Sequence, residues 1–215
     1  MKKTVIAVLC AVLVIVALTV FLKKDKPDDT TPTTVSATED EATEAYSAYE
    51  PEGGTKDPEK LVKITMPLSM YDAENQCDTG GFFKKSSYEK CEVNKSQKTF
   101  TVTVKSITHD FMLSNVGLQV IKALGYMLDS GDYPYIKQLG NYNSDFSEIE
   151  IIVDATGYRL SSDAKGALEF VADCGIYYQL YTTQNSYSCK VTAKDIETGK
   201  VIDEITAKKN NKNAD

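Results

Sequence analysis

Hydrophobic and polar positions change rhythm several times along the chain, and each change marks an element. From Val5 to Leu22 the side chains are apolar except for Thr19. At about 1.5 Å rise per residue such a run makes a helix of ~27 Å, close to the hydrocarbon thickness of a bilayer. Alternation begins much later. Val62, Ile64 and Met66 interleave with Lys63 and Thr65 until Pro67, which predicts a short strand. Residues 70–97 are polar, hold Gly80-Gly81, and read as a long irregular excursion. Phe100, Val102 and Val104 then alternate with Thr99, Thr101, Thr103 and Lys105, the clearest strand of the chain.

From about Thr108 the period lengthens. Met112, Val116, Val120, Leu124 and Met127 or Leu128 recur at helical spacing, and Asp129-Ser130-Gly131 ends the run just before Pro134. Asn141-Tyr142-Asn143-Ser144 signals a turn, with a further strand open near Tyr135–Gly140. Ile149, Ile151 and Val153 make another strand. A second helix is expected from about Ser162 to Thr182, apolar over so much of its girth that it belongs at the centre of the fold. Tyr187, Cys189, Val191 and Ala193 alternate, and Glu197-Thr198-Gly199-Lys200 turns the chain into Val201–Ile205, a closing hairpin. The order predicts an α+β domain, an antiparallel sheet with one or two helices packed on a face.

The N-terminal run sets the domain plan. A cleaved signal carries a small-x-small site after a shorter apolar stretch, but this run ends in Phe21-Leu22-Lys23-Lys24. Cys10 lies in mid-run after Leu9, so it is poorly placed as a lipidation site. Residues 1–24 therefore read as a transmembrane anchor, 25–59 as an acidic Thr/Ser/Pro linker, 60–208 as a globular domain, and 209–215 as a disordered tail. Lysines flank the anchor on both sides, so the positive-inside rule alone does not orient it. The stalk-like linker and the even number of cysteines in the domain place the C-terminal part outside the cytoplasm, with a single pass through the cell membrane.

Charge follows the same plan. The chain carries −7 in all, of which +4 falls in residues 1–26, −8 in 27–60 and −3 in 61–215. The linker lacks the apolar area to offset its chain entropy, and its carboxylates repel one another, so it is expected to be extended. A mixed-charge domain at −3 gives no electrostatic case for nucleic acid.

Asp132-Tyr133-Pro134-Tyr135-Ile136-Lys137, Asn143-Ser144-Asp145-Phe146-Ser147 and Ile196-Glu197-Thr198-Gly199-Lys200-Val201-Ile202 are turns and strand starts. With Ile64-Thr65-Met66-Pro67 they resemble a group of small secreted or lipid-anchored α+β domains of low-GC Gram-positive anaerobes. The resemblance covers most of 61–206 and implies a fold; it carries over no activity and no catalytic residue. The chain departs from that group in having a long anchor in place of a lipidated cysteine, and in its extra cysteines.

Cys77, Cys91, Cys174 and Cys189 suggest disulfides in a domain outside the reducing cytosol. Three connectivities exist; short, loop-containing separations favour Cys77–Cys91 with Cys174–Cys189. No C-x-x-C occurs and His109 is the one imidazole, so no metal or cofactor is expected. His109 is read as a surface or capping residue of the first long helix. Ser162-Asp163-Ala164-Lys165 matches the S-x-x-K acylation pattern, but without companion motifs it reads as a helix N-cap built on Ser161 or Ser162. The 13 tyrosines are read mainly as core and sheet-rim packing. No catalytic residue is assigned. The expected function is a non-catalytic binding or interaction module of the cell envelope, held to the membrane by its N-terminal helix and facing an envelope protein or wall polymer. A small envelope-acting hydrolase and a structural accessory subunit of a membrane complex are the alternatives.

Overall fold

The computed structural model describes residues 57–73 and 77–210. The predicted anchor and all of the linker up to residue 56 lie outside them. At the start of the described residues Lys60 N donates to the Asp57 carbonyl in a turn.

Two sheets and two long helices make up the fold. In the first sheet β1 (Leu61–Pro67) and β2 (Lys90–Asn94) flank β3 (Thr99–Lys105), all antiparallel. Val102 faces Ile64 on one side and Cys91 on the other, and Phe100 faces Met66 and Val93, so strand alternation delivers one apolar face to the core. Lys63, Thr65, Thr101, Thr103 and Glu92 fall on the other face. β3 passes without a loop into α1 (Ser106–Asp129), whose Met112, Val116, Val120, Leu124 and Met127 are buried as the stripe predicted.

The second sheet has the order β4 (Ile136–Tyr142), β5 (Glu148–Val153), β6 (Ser186–Asp195), β7 (Val201–Asn210). A short helix α2 (Ala155–Leu160) and the central α3 (Ala164–Gln179) connect β5 to β6. That crossover returns the chain to the same end of the sheet, so β5 and β6 pair in parallel while the outer pairs are antiparallel. The fold is α+β as expected, but its strands form two sheets and the larger one is mixed. Tail residues Lys209 and Asn210 are also part of β7, paired with Tyr187 and Ser186.

α3 buries Leu168, Val171, Ala172, Gly175 and Ile176 between the second sheet and α1, which is why its sequence is apolar over most of its circumference. One contact joins the two sheets directly and another joins the two long helices. Tyr187 Oη of β6 donates to the Thr65 carbonyl of β1 at 3.4 Å, and His109 of α1 meets the Tyr181 carbonyl just past α3 at 2.8 Å.

Candidate functional site

The polar excursion after β1 is where chemistry-bearing side chains converge. Cys77, buried, is bonded to Cys91, which β2 presents on the core face opposite Val102. The next residue, Asp78, is 1% exposed, and its carboxylate is enclosed by donors. Phe83 N reaches Oδ1 at 2.8 Å, Phe82 N reaches Oδ2 at 3.3 Å, and Tyr181 Oη donates to Oδ2 at 2.9 Å. Tyr177 Oη lies 3.4 Å from Tyr181 Oη. The rings of Phe82 and Phe83 pack on Tyr181 with centroids 5.2 and 5.9 Å away. The loop thus clasps the end of α3 through one carboxylate and two rings, those of Phe82 and Phe83.

Burial sets the protonation of the cluster. It pushes the phenols of Tyr181 and Tyr177 up from their ordinary value, so both keep their protons as donors. His109 is 8% exposed, and burial lowers its pKa. The neutral ring donates Nε2–H to the Tyr181 carbonyl, an acceptor only. The imidazole is therefore a core residue spent on a backbone oxygen, which corrects its reading as a surface or capping residue. The cluster holds elements together; its groups face one another.

The second cysteine pair is a correction. Cys174 and Cys189 are thiols, not a disulfide. Cys189 Sγ lies against Gly175, where an added Cβ would stand 2.6 Å from it. Cys174 is one residue earlier, hence about 100° around the helix, on a flank of that contact. Burial pushes the Cys189 thiol up to about 12, so it stays protonated and inert at neutral pH.

The Ser162–Lys165 stretch falls at the break between α2 and α3. Ser162 and Lys165 are both exposed, and Asp163, not Ser161 or Ser162, occupies the N-cap position of α3. Tyr135 Oη donates to Asp163 Oδ1 at 2.8 Å, and Ser161 Oγ donates to the same oxygen. These two donors hold the Asp163 carboxyl below the usual carboxylate range, with Ser161 the larger influence. The three residues line an open depression of about 380 Å³ with Asp132, Asp154 and Leu160. Tyr158 packs edge-on against Tyr135 at 5.7 Å and donates to Asp203 Oδ2 at 2.9 Å. A wider concavity of about 750 Å³ covers the outer face of the first sheet, lined by Lys63, Thr65, Glu92, Asn94, Ser96 and Thr101. Both are shallow, hydroxyl- and carboxylate-bearing surfaces, suited to hydrogen-bonding a polar partner. Among the described residues no group of three or more His, Cys, Asp or Glu could hold a metal ion.

Most of the described tyrosines are structural: Tyr135, Tyr158, Tyr178, Tyr181 and Tyr187 are buried, and Tyr71, Tyr88, Tyr133 and Tyr177 pack partly buried against the core. Sequence reading missed Asp78. Its one signal was the Phe82-Phe83 doublet beside Gly80-Gly81, an apolar pair inside a polar stretch. No family model, no curated protein and no solved structure matches this chain.

Proposed function

We propose that the chain is a single-pass, membrane-anchored protein whose C-terminal domain lies outside the cytoplasm and serves as a non-catalytic binding module of the cell envelope. The observation that carries this reading is the Cys77–Cys91 bond. Such bonds persist in oxidising compartments and are rare in the cytosol. It sits beside a network in which Asp78, Tyr181 and His109 are occupied with one another, so the chain's one imidazole serves packing. The apolar run Val5–Leu22 supplies the anchor, and the acidic segment after it joins that anchor to the domain. The partner is an envelope protein or wall polymer, met by the polar outer face of the first sheet or by the Tyr135–Asp163 depression.

Short-range crosslinking on intact cells carrying a C-terminally tagged full chain tests the reading. The expected result is one defined co-purifying partner, lost when residues 61–206 are replaced by an unrelated folded domain on the same anchor and linker. A tag inaccessible to an impermeant reagent, or a partner set unchanged by that replacement, rejects it.

A further inference from the structure

Helix α1 buries one side and leaves the other uncovered. By length and composition it is apolar enough to cross a membrane, yet it packs its inner stripe into the core, and 33% of its most apolar stretch is buried. On the outer side Ile107, Phe111, Ser114, Leu118, Ile121 and Gly125 follow one another at alternating steps of four and three. At 100° per residue they form a line opposite Met112, Val116 and Val120. Ile107 is 55% exposed, Phe111 72% and Tyr126 68%, while Leu118 is half-buried and Ile121 at the edge of the face packs partly against the core.

Three features separate this face from an ordinary solvated one. Between Asp110 and Asp129, which stand at the two ends of the face, the only charged residue is Lys122, whose long stem lets an ammonium stay in water while its methylenes cover apolar surface. The polar residues at its centre bond back to their own helix: Ser114 Oγ to the Asp110 carbonyl at 3.0 Å, and Asn115 Nδ2 to the Phe111 carbonyl at 2.8 Å. Each of these bonds lowers the cost of removing the side chain from water. With Tyr126 included, the apolar band spans roughly 140°, wider than the narrow seam a second helix needs.

The place where the chain enters the domain selects the occupant. Ser106 Oγ donates to the Asp57 carbonyl at 2.6 Å, and Ile107 N to the Pro58 carbonyl at 3.4 Å. The first described residues are thus fastened to the turn that opens the apolar face. The 56 residues before them carry the Val5–Leu22 run and its acidic linker. By sequence only about 30 residues separate that run from the domain, and such a tether keeps the domain's local concentration at the bilayer high enough for a weak contact to form. We infer that the outer face of α1, from Ile107 to Tyr126, is a lipid-contact surface that lays the domain on the membrane to which its own N-terminal segment tethers it. This rests on the reading of residues 5–22 as an anchor.

The absence of tryptophan from the chain supplies the test. F111W and Y126W place single reporters on the face, and I196W places one at the exposed β6–β7 turn. Each full-length variant is reconstituted into phosphatidylcholine vesicles with or without brominated acyl chains. F111W and Y126W are expected to lose more than half their emission to the bromines, with I196W unaffected. Unquenched reporters on a chain that survives alkaline carbonate extraction overturn the inference while leaving the anchor intact. A blue shift that grows with protein density without bromine quenching overturns it in favour of a second copy on the same face. If carbonate strips the chain from the vesicles, quenching of F111W by fresh brominated vesicles keeps the surface and rejects the anchor; no quenching rejects both.

Discussion

Asp78 shows how much one side chain can decide. A carboxylate at 1% exposure survives because three donors surround it, and each donor would be left without an acceptor if it were removed. Asp78→Ala is expected to cost about 3 kcal/mol or more, whereas Tyr181→Phe removes one donor and costs about 1–3 kcal/mol. Urea unfolding of the two variants checks the order, and equal losses would reject it. His109 acts through pH. Its folded pKa is lowered by burial, so below the unfolded value of about 6.5 the unfolded chain binds the extra proton. Stability is therefore full above that pH and falls as pH drops through the interval down to the folded value. The slope is at most ~1.4 kcal/mol per pH unit. Thermal melts between pH 7 and 5 should show this decline in the wild type and lose it in His109→Gln, whose amide still offers a donor to the Tyr181 carbonyl.

Among the elements, strands with two distinct faces were legible, because alternation is a direct record of burial. β1, β3, β5 and β6 each carry it. β2 was not, since Lys90-Cys91-Glu92-Val93-Asn94 lies at an edge and gives the core only Cys91, with Val93 left exposed. α2 was hidden because a six-residue turn holding Gly157 buries Tyr158 alone. The parallel pairing of β5 with β6 left no mark either, as strand period is the same in both directions. α3 was legible as a central helix, and one residue explains how closely the sheet approaches it. A Cβ on Gly175 would stand 2.5 Å from the Phe146 carbonyl and 2.6 Å from Cys189 Sγ. Gly175→Ala gains about 1 kcal/mol of helix propensity but overpacks against a backbone oxygen and a buried strand residue, a cost of typically 1–3 kcal/mol. The net expectation is destabilisation, visible as a lower urea midpoint. Gly166→Ala on the same helix meets no atom within 4 Å and is expected to stabilise by up to ~1 kcal/mol.

For the whole molecule the question is what the Cys77–Cys91 disulfide contributes. Cys77 and Cys91 are 14 residues apart, and a loop of that size is worth about 3 kcal/mol in the chain-entropy account. A domain of this length has a total stability of about 5–15 kcal/mol, so reduction should weaken the fold without abolishing it. The core argues the same way: β3, α1, α3 and the second sheet close around Val102, Val116, Val171 and Ile151, none of which depends on the bond. The excursion does depend on it, because Asp78 and Phe83 reach Tyr181 from the residues that Cys77 anchors. Reduction should therefore lower the urea midpoint with one cooperative transition retained, and amides of residues 77–83 should lose hydrogen-exchange protection before those of β5 and β6. With the bond broken but the fold intact, Cys77 becomes open to alkylation through opening of the loop, while Cys189 under Gly175 stays protected until global unfolding. Equal labelling of the two thiols in native buffer would mean that the loop and the core unfold as one unit, and that the bond supports the whole domain.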